Sequence, residues 1–376
     1  MRHTLLAAST VLGAALLLAR GYAQSPKPQP DVLVLADDER LSGRFVRSNG
    51  GSLTFKSDML GELTIDWSKV KELHAGGRYV VVSKGERFGP RVDLSRVPTG
   101  KIDVADKSIK VTPAAGVAPA AIPVADAAHV IEQAEFEQKV LHEPRVFEAW
   151  NGAVTAGASI VEATQQSRTF TGAISLVRAV PSESWLTSRN RTSINFSASD
   201  GFQLQPGTPK IKTAILHGDI ERDEYFPASR VYGFGQAAYD HNFSQGLDLG
   251  QQYGGGIGWT VVKNAANTLD LKGGVSYLKQ QFQSSSQDKS LAASTFSEGY
   301  THKFRRGIVL LQQLSATPTW NDTKSWLAAA GAGLTVPVYK RLNFSVNLQD
   351  NYLHNPSPGF KRNSFQAATG LTYTLR

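Results

Sequence analysis

Residues 268–277, TLDLKGGVSY, alternate with a period of two: Leu269, Leu271, Val275 and Tyr277 fall on one side, Asp270, Lys272, Gly274 and Ser276 on the other. Such alternation predicts a strand with one apolar and one polar face. From Trp150 onward the theme recurs, in RNRTSINFSAS and again in LNFSVNLQDNY, where Leu342, Phe344, Val346 and Leu348 alternate with Asn343, Ser345, Asn347 and Gln349. About twelve such segments are predicted. They span residues 150–163, 168–180, 188–199, 210–222, 230–241, 246–262, 267–282, 291–304, 306–319, 325–338, 341–353 and 362–376. Most run to ten residues or more, whereas strands of soluble sheets centre on about five or six. Long alternating strands in an even number fit a closed antiparallel barrel whose apolar face meets lipid and whose polar face lines the interior.

The N-terminal part reads differently. Arg2 and His3 precede an apolar run from Leu5 to Ala19, and Gly21-Tyr22-Ala23 supplies small residues for cleavage, so residues 1–23 are expected to be a secretory signal. Residues 31–112 carry short alternations broken by turn clusters, and a weak internal similarity suggests small SH3-like β modules of about forty residues each. Residues 113–146 are expected to be an Ala/Pro connector, with Pro113, Pro119 and Pro123, followed by a short helix within HVIEQAEFEQKVLHEP. Residues 147–376 make the barrel. The expected class is all-β, with a C-terminal antiparallel transmembrane barrel.

Composition supports this. The chain holds 34 Gly, 17 Phe, 11 Tyr and 6 Trp, a profile of turns and aromatic strands rather than helices. Trp150, Trp185, Trp259, Trp320, Trp326, Tyr225, Tyr253, Tyr300, Tyr339 and Tyr352 fall near the ends of the predicted strands, as in an interfacial girdle. The net charge of +8 is spread through loops and strand ends, without the basic runs that track a phosphate backbone, so no nucleic-acid partner is expected. There is no Cys, which excludes disulfides and thiolate chemistry.

The stretch WNGAVTAGASIVEATQQSRTFTGAISLVRAV resembles the opening hairpin of the salt-induced outer-membrane protein family, a bacterial barrel family also labelled domain of unknown function 481. The matching features are Trp150 and Gly152, then Gly157-Ala158-Ser159, a polar turn, and a Thr-rich return strand ending near Arg178. The resemblance covers residues 147–376. It implies an outer-membrane barrel with its N-terminal part in the periplasm, a link to osmotic or salt stress, and partners in outer-membrane lipid and the barrel-assembly machinery. Peptidoglycan or a periplasmic protein are candidate partners for the N-terminal modules.

Catalytic patterns are absent from the sequence: there is no G-x-S-x-G elbow and no H-x-x-x-H pair, and GFGQAA at 233–238 matches a dinucleotide fingerprint inside a strand pattern with no helix after it. No enzyme activity, cofactor or metal is expected. The acidic run HGDIERDEYF, with Asp219, Glu221, Asp223 and Glu224, reads as a solvated loop face that could also bind Ca²⁺. Candidate lumen-lining residues are Arg189, Arg191, Asn195, Lys212, Asp270, Lys272, Asn343, Asn347 and Gln349. Among them Arg189, Arg191 and Lys212 are expected to form a basic patch favouring anions.

Overall fold

The computed structural model describes residues 30–84, 86, 97–113, 119–162, 166–182, 188–204, 207, 209–226, 229–264 and 266–375. The expected signal at 1–23, Trp185 and Arg376 lie outside the described residues. Two compact units emerge, one within Met1–Ser83 and Leu94–Gln133, the other within Lys84–Asp93 and Ala134–Arg376. Among the described residues no helix is long and apolar enough to cross a membrane.

The first unit is a nine-stranded sheet. Its strands are β1 (Asp31–Leu35), β2 (Arg40–Asn49), β3 (Ser52–Ser57), β4 (Gly61–Asp66), β5 (Val70–Ser83), β6 (Thr99–Ala105), β7 (Ser108–Thr112), β8 (Ala120–Pro123) and β9 (Ala127–Glu132). Strand β1 pairs with β2 and β5, and β9 also pairs with β2 and β5, so four strands close on themselves. The two repeats anticipated from sequence do not fold apart. The first half of β5 pairs with β1 and its second half with β9, so one strand serves both halves. A single core results, in which Leu33, Phe45, Phe55 and Leu73 meet Tyr79, Val81, Ile102 and Ile109. Asp31 fastens this core: its carboxylate accepts from the Phe45 and Gly76 amides at 2.8 and 2.9 Å, and Tyr79 donates its hydroxyl to the Phe45 carbonyl at 2.9 Å. Burial, with Asp31 nearby, pushes the Tyr79 phenol well above its ordinary range.

The expected connector is corrected here. Residues 120–123 form edge strand β8 on β7, and 127–132 form β9. Val130 and Ile131 are fully buried, and their β-branched side chains favour a strand over the helix read from the same stretch. Among the described residues of this stretch, helical backbone is limited to single turns at Val124–Asp126 and Gln133–Glu135 and a wide turn at Phe136–Leu141.

The second unit is a closed twelve-stranded antiparallel barrel. Its strands are β10 (Trp150–Glu162), β11 (Gln166–Val180), β12 (Asn190–Leu204), β13 (Ile211–Tyr225), β14 (Val231–Asn242), β15 (Leu247–Lys263), β16 (Asn267–Phe282), β17 (Lys289–Lys303), β18 (Val309–Thr317), β19 (Leu327–Tyr339), β20 (Leu342–Leu353) and β21 (Asn363–Leu375). Each pairs with its neighbour in sequence, and β21 returns to β10 through Gly152↔Leu375 to Ala156↔Leu371. A thirteen-residue strand rises about 43 Å and, tilted by about 40°, crosses about 33 Å, a little more than the hydrocarbon thickness of a bilayer.

Antiparallel register carries one face around the wall. Ile174 pairs with Phe196 and Ile194 with Ile220, Trp259 with Leu271, Leu314 with Ala330, Phe344 with Leu371, and Tyr373 with Val154. Phe196, Ile220, Trp259, Leu271, Leu314, Phe344, Leu371 and Tyr373 are all exposed. This apolar row is the outside of the barrel. Near its two rims it ends in rings, with Trp150, Trp259, Tyr300, Tyr339 and Tyr373 toward the rim holding the chain ends, and Tyr277, Trp320, Trp326 and Tyr352 toward the other. Tyr225 departs from the expected girdle, since it pairs with Tyr232 on the inner register and is packed against its ring at 4.8 Å.

Candidate functional site in the barrel interior

The polar register faces inward, and contacts between strands that are not neighbours prove it. Arg191 on β12 donates from Nε to Asp223 Oδ2 on β13 at 2.6 Å and from Nη1 to Asp270 Oδ2 on β16 at 3.2 Å. Strands β13, β14 and β15 separate β12 from β16, so in a closed wall this second contact runs through the lumen. Lys272 on β16 likewise forms an ion pair with Glu221 on β13. Thr260 donates to the other Asp270 oxygen at 2.5 Å, Arg191 lies 5.4 Å from the Tyr232 ring centre, and Lys272 lies 5.7 Å from that of Phe234. The Asp223 side chain is only 1% exposed, and a carboxylate so placed needs its cation nearby.

The glycine-rich segment 253–259 makes this arrangement fit. Gly254, Gly256 and Gly258 fall on the inner register of β15, opposite Gln236, Phe234 and Tyr232. Their missing side chains leave a trough over which the β16 groups reach β12 and β13. A Cβ on Gly258 would stand 2.3 Å from the Tyr232 ring, which is fully buried.

Further from the chain-end rim, His217 bridges Asp240 at 2.7 Å and Asp219 at 3.0 Å, and Asn195 donates to Asp219 at 3.0 Å. Both ring nitrogens of His217 thus face carboxylates. The opposite part of the wall is neutral. Asn343 donates to the Thr374 hydroxyl at 3.0 Å, Gln349 to Asn351 at 3.0 Å, and a hydroxyl chain from Thr155 through Thr372 to Ser345 stitches the β10–β21 seam from inside.

Register thus puts Arg191, Asn195, Asp270, Lys272, Asn343, Asn347 and Gln349 on the inner face. Lys212 is corrected: it pairs with Phe202, on the outer register and at the far end of the β12–β13 hairpin from Arg191. Arg189 precedes β12 in the rim turn, where its Nη1 donates to the Val140 carbonyl at 2.9 Å. The expected basic patch therefore does not assemble. The acidic run is corrected as well, because it is the second half of β13 and not a loop. Asp219, Glu221 and Asp223 alternate on the inner register while Glu224 falls on the outer one and pairs with Arg222 at 2.7 Å. The sequence points to these three acids as a loop face that could bind Ca²⁺ and not as lumen groups, and it gives no sign of His217, Tyr232, Asp240 and Thr260. The spacing of two between the carboxylates was their signal, legible only once the run is taken as strand. Among the described residues no group of three or more His, Cys, Asp or Glu is disposed to hold a metal ion.

No curated protein matches the chain by sequence. Similar solved structures include the translocator domain of the autotransporter NalP from Neisseria meningitidis, at 14% identity over 60% of this chain and 87% of that one, with a TM-score of 0.35. They also include the NanC porin, at 6% identity over 60% and 100% with a TM-score of 0.37, and an outer membrane channel from Pseudomonas putida F1, at 12% identity over 62% and 100% with a TM-score of 0.36. The family model described as a protein of unknown function, DUF481, matches residues 154–375, from the first strand of the barrel to the last. The chain is therefore a member of the DUF481 family.

Proposed function

We propose that the protein is an outer-membrane β-barrel that gives small hydrophilic solutes a narrow passive route, with residues 31–140 on the periplasmic side. The observation that carries this reading is the segregation of the wall into an exposed apolar exterior and a polar interior around a closed sheet. The orientation is supported by the connections. The chain ends share one rim with the two-residue connection at 340–341, and two of the three nine-residue connections, 318–326 and 354–362, lie at the other, the third being 181–189 on the chain-end rim. Barrels of this kind keep short turns toward the periplasm. The Arg191, Asp223 and Asp270 network, with the Lys272–Glu221 pair, narrows the lumen near the chain-end rim. A role in osmotic or salt stress agrees with a small polar route.

The lumen-crossing ion pairs also favour a second reading, in which the barrel is an anchor and the N-terminal unit engages peptidoglycan or a periplasmic protein. Conductance of the purified full chain in planar bilayers separates the two. Passage is expected to give steps that grow when Arg191→Ala removes the crossing side chain; a folded barrel that stays silent in both forms supports the anchor.

A further inference from the structure

The turn that enters the barrel is built to present apolar side chains on the outside of its rim. Trp150 pairs with Arg178, and Arg178 with Thr192, on the register that carries Leu176, Ile194 and Phe196 outward. Both Trp150 and Arg178 therefore stand on the exterior of the wall, at its chain-end edge. From there they hold the preceding backbone. The Arg178 guanidinium donates to the carbonyls of Pro144 at 2.5 Å, Glu148 at 3.1 Å and Arg145 at 3.3 Å, and the Trp150 indole donates to the carbonyl of Val146 at 2.7 Å. Glu148 closes the turn on itself, accepting from the Arg145 amide at 2.9 Å. Ala149 takes a left-handed conformation, φ 62°, to lead into β10.

Four carbonyls are thus satisfied by side chains of the outer wall, while the two apolar residues between them are turned away. Val146 is 71% exposed and Phe147 is 92% exposed. A fixed turn that shows valine and phenylalanine to water has no stability rationale of its own. Its position suggests what meets them, because the turn leads directly into Trp150, whose indole holds it, at the chain-end edge of the exposed apolar register that carries Val154 and Tyr373.

We propose that Val146 and Phe147 form an interfacial anchor that dips into the phospholipid of the inner leaflet, pinning the chain where it leaves the membrane for the N-terminal unit. This rests on the reading of the barrel as membrane-spanning. In this arrangement Arg178 and Trp150 are positioning residues, fixing the turn so that its apolar pair enters lipid without an ordering penalty at each encounter.

The test uses the full chain, whose lack of cysteine makes single labels clean. Phe147→Cys carries an environment-sensitive fluorophore in phospholipid vesicles that contain a lipid with a nitroxide high on its acyl chain; Phe296→Cys on the outer wall and Asp106→Cys in the N-terminal sheet serve as references. A label at 147 seated at the headgroup boundary is expected to lose roughly half its emission to the nitroxide and to resist aqueous iodide. Arg178→Gln is expected to weaken that quenching at 147 while leaving it unchanged at 296. Iodide quenching at 147, or no nitroxide quenching there while 296 is quenched, overturns the anchor. Loss of nitroxide quenching at 296 as well overturns the membrane-spanning reading itself.

Discussion

Arg191 on β12 and Asp270 on β16 meet at 3.2 Å with three strands of wall between them. The pair works as a chord across the interior, sharing its arginine with Asp223 and its aspartate with Thr260. Such a chord ties distant parts of the sheet together, and its members should be energetically coupled. A double-mutant cycle of Arg191→Met and Asp270→Asn is expected to return a coupling of about 1–3 kcal/mol in reversible unfolding of the folded barrel. Additive losses would place the two groups out of contact.

Asp223 is the more costly member to orphan. Arg191 is its cation and its side chain is nearly inaccessible. Arg191→Met leaves that carboxylate behind, whereas Arg191→Met with Asp223→Leu removes both charges. The single variant is expected to lose about 3–5 kcal/mol and the double variant to recover part of it. Urea titration of heat-modifiable gel migration reads both.

Gly258 has no room for a methyl group while Tyr232 lies over it. Gly258→Ala is expected to cost about 1–3 kcal/mol through overpacking. In a Tyr232→Ala background the same change should cost almost nothing. An equal loss in both backgrounds would refer the effect to the backbone of β15 instead of the ring.

The barrel was legible in the sequence because its signal is local. Alternation at Leu269 to Tyr277 or Leu342 to Gln349 needs no partner to be read, and the strands found differ from those expected by only a few residues at each end. The interior chemistry depends on register, which is not local. Lys212 is polar and neighbours β12 in sequence, yet one residue of parity puts it outside. Asp219, Glu221 and Asp223 read as loop because a run of charges resembles a solvated turn, whereas in the folded barrel Glu221 meets Lys272 across the lumen, Asp223 meets Arg191 on the adjacent strand and Asp219 meets His217 and Asn195. At residues 127–132 the helix-forming composition was overridden by pairing with β2 and β5, strands about eighty and fifty residues away in the chain.

His129 on β9 is half-buried in the N-terminal unit, and the desolvation there holds its pKa below the ordinary value of a histidine. The unfolded chain then binds a proton that the folded chain resists, so stability is present above about pH 6.5 and falls as pH drops through the unfolded value toward the folded one. His74 runs the other way, raised by Asp103, but it is half-exposed and its contribution is screened. Hydrogen exchange at the Val81 and Val130 amides is expected to quicken as pH falls from neutral, after correction for intrinsic rates, and His129→Gln should flatten that dependence.

The central claim is that one register of the barrel wall faces lipid and the other an aqueous interior, and single-cysteine labels along β12 test it most directly. At Ile194, Asn195, Phe196 and Ser197 in turn, the fluorophore is expected to be quenched by acyl-chain nitroxide at Ile194 and Phe196 and spared at Asn195 and Ser197. Quenching at Asn195 and Ser197 with protection at Ile194 and Phe196, or no alternation at all, would contradict it.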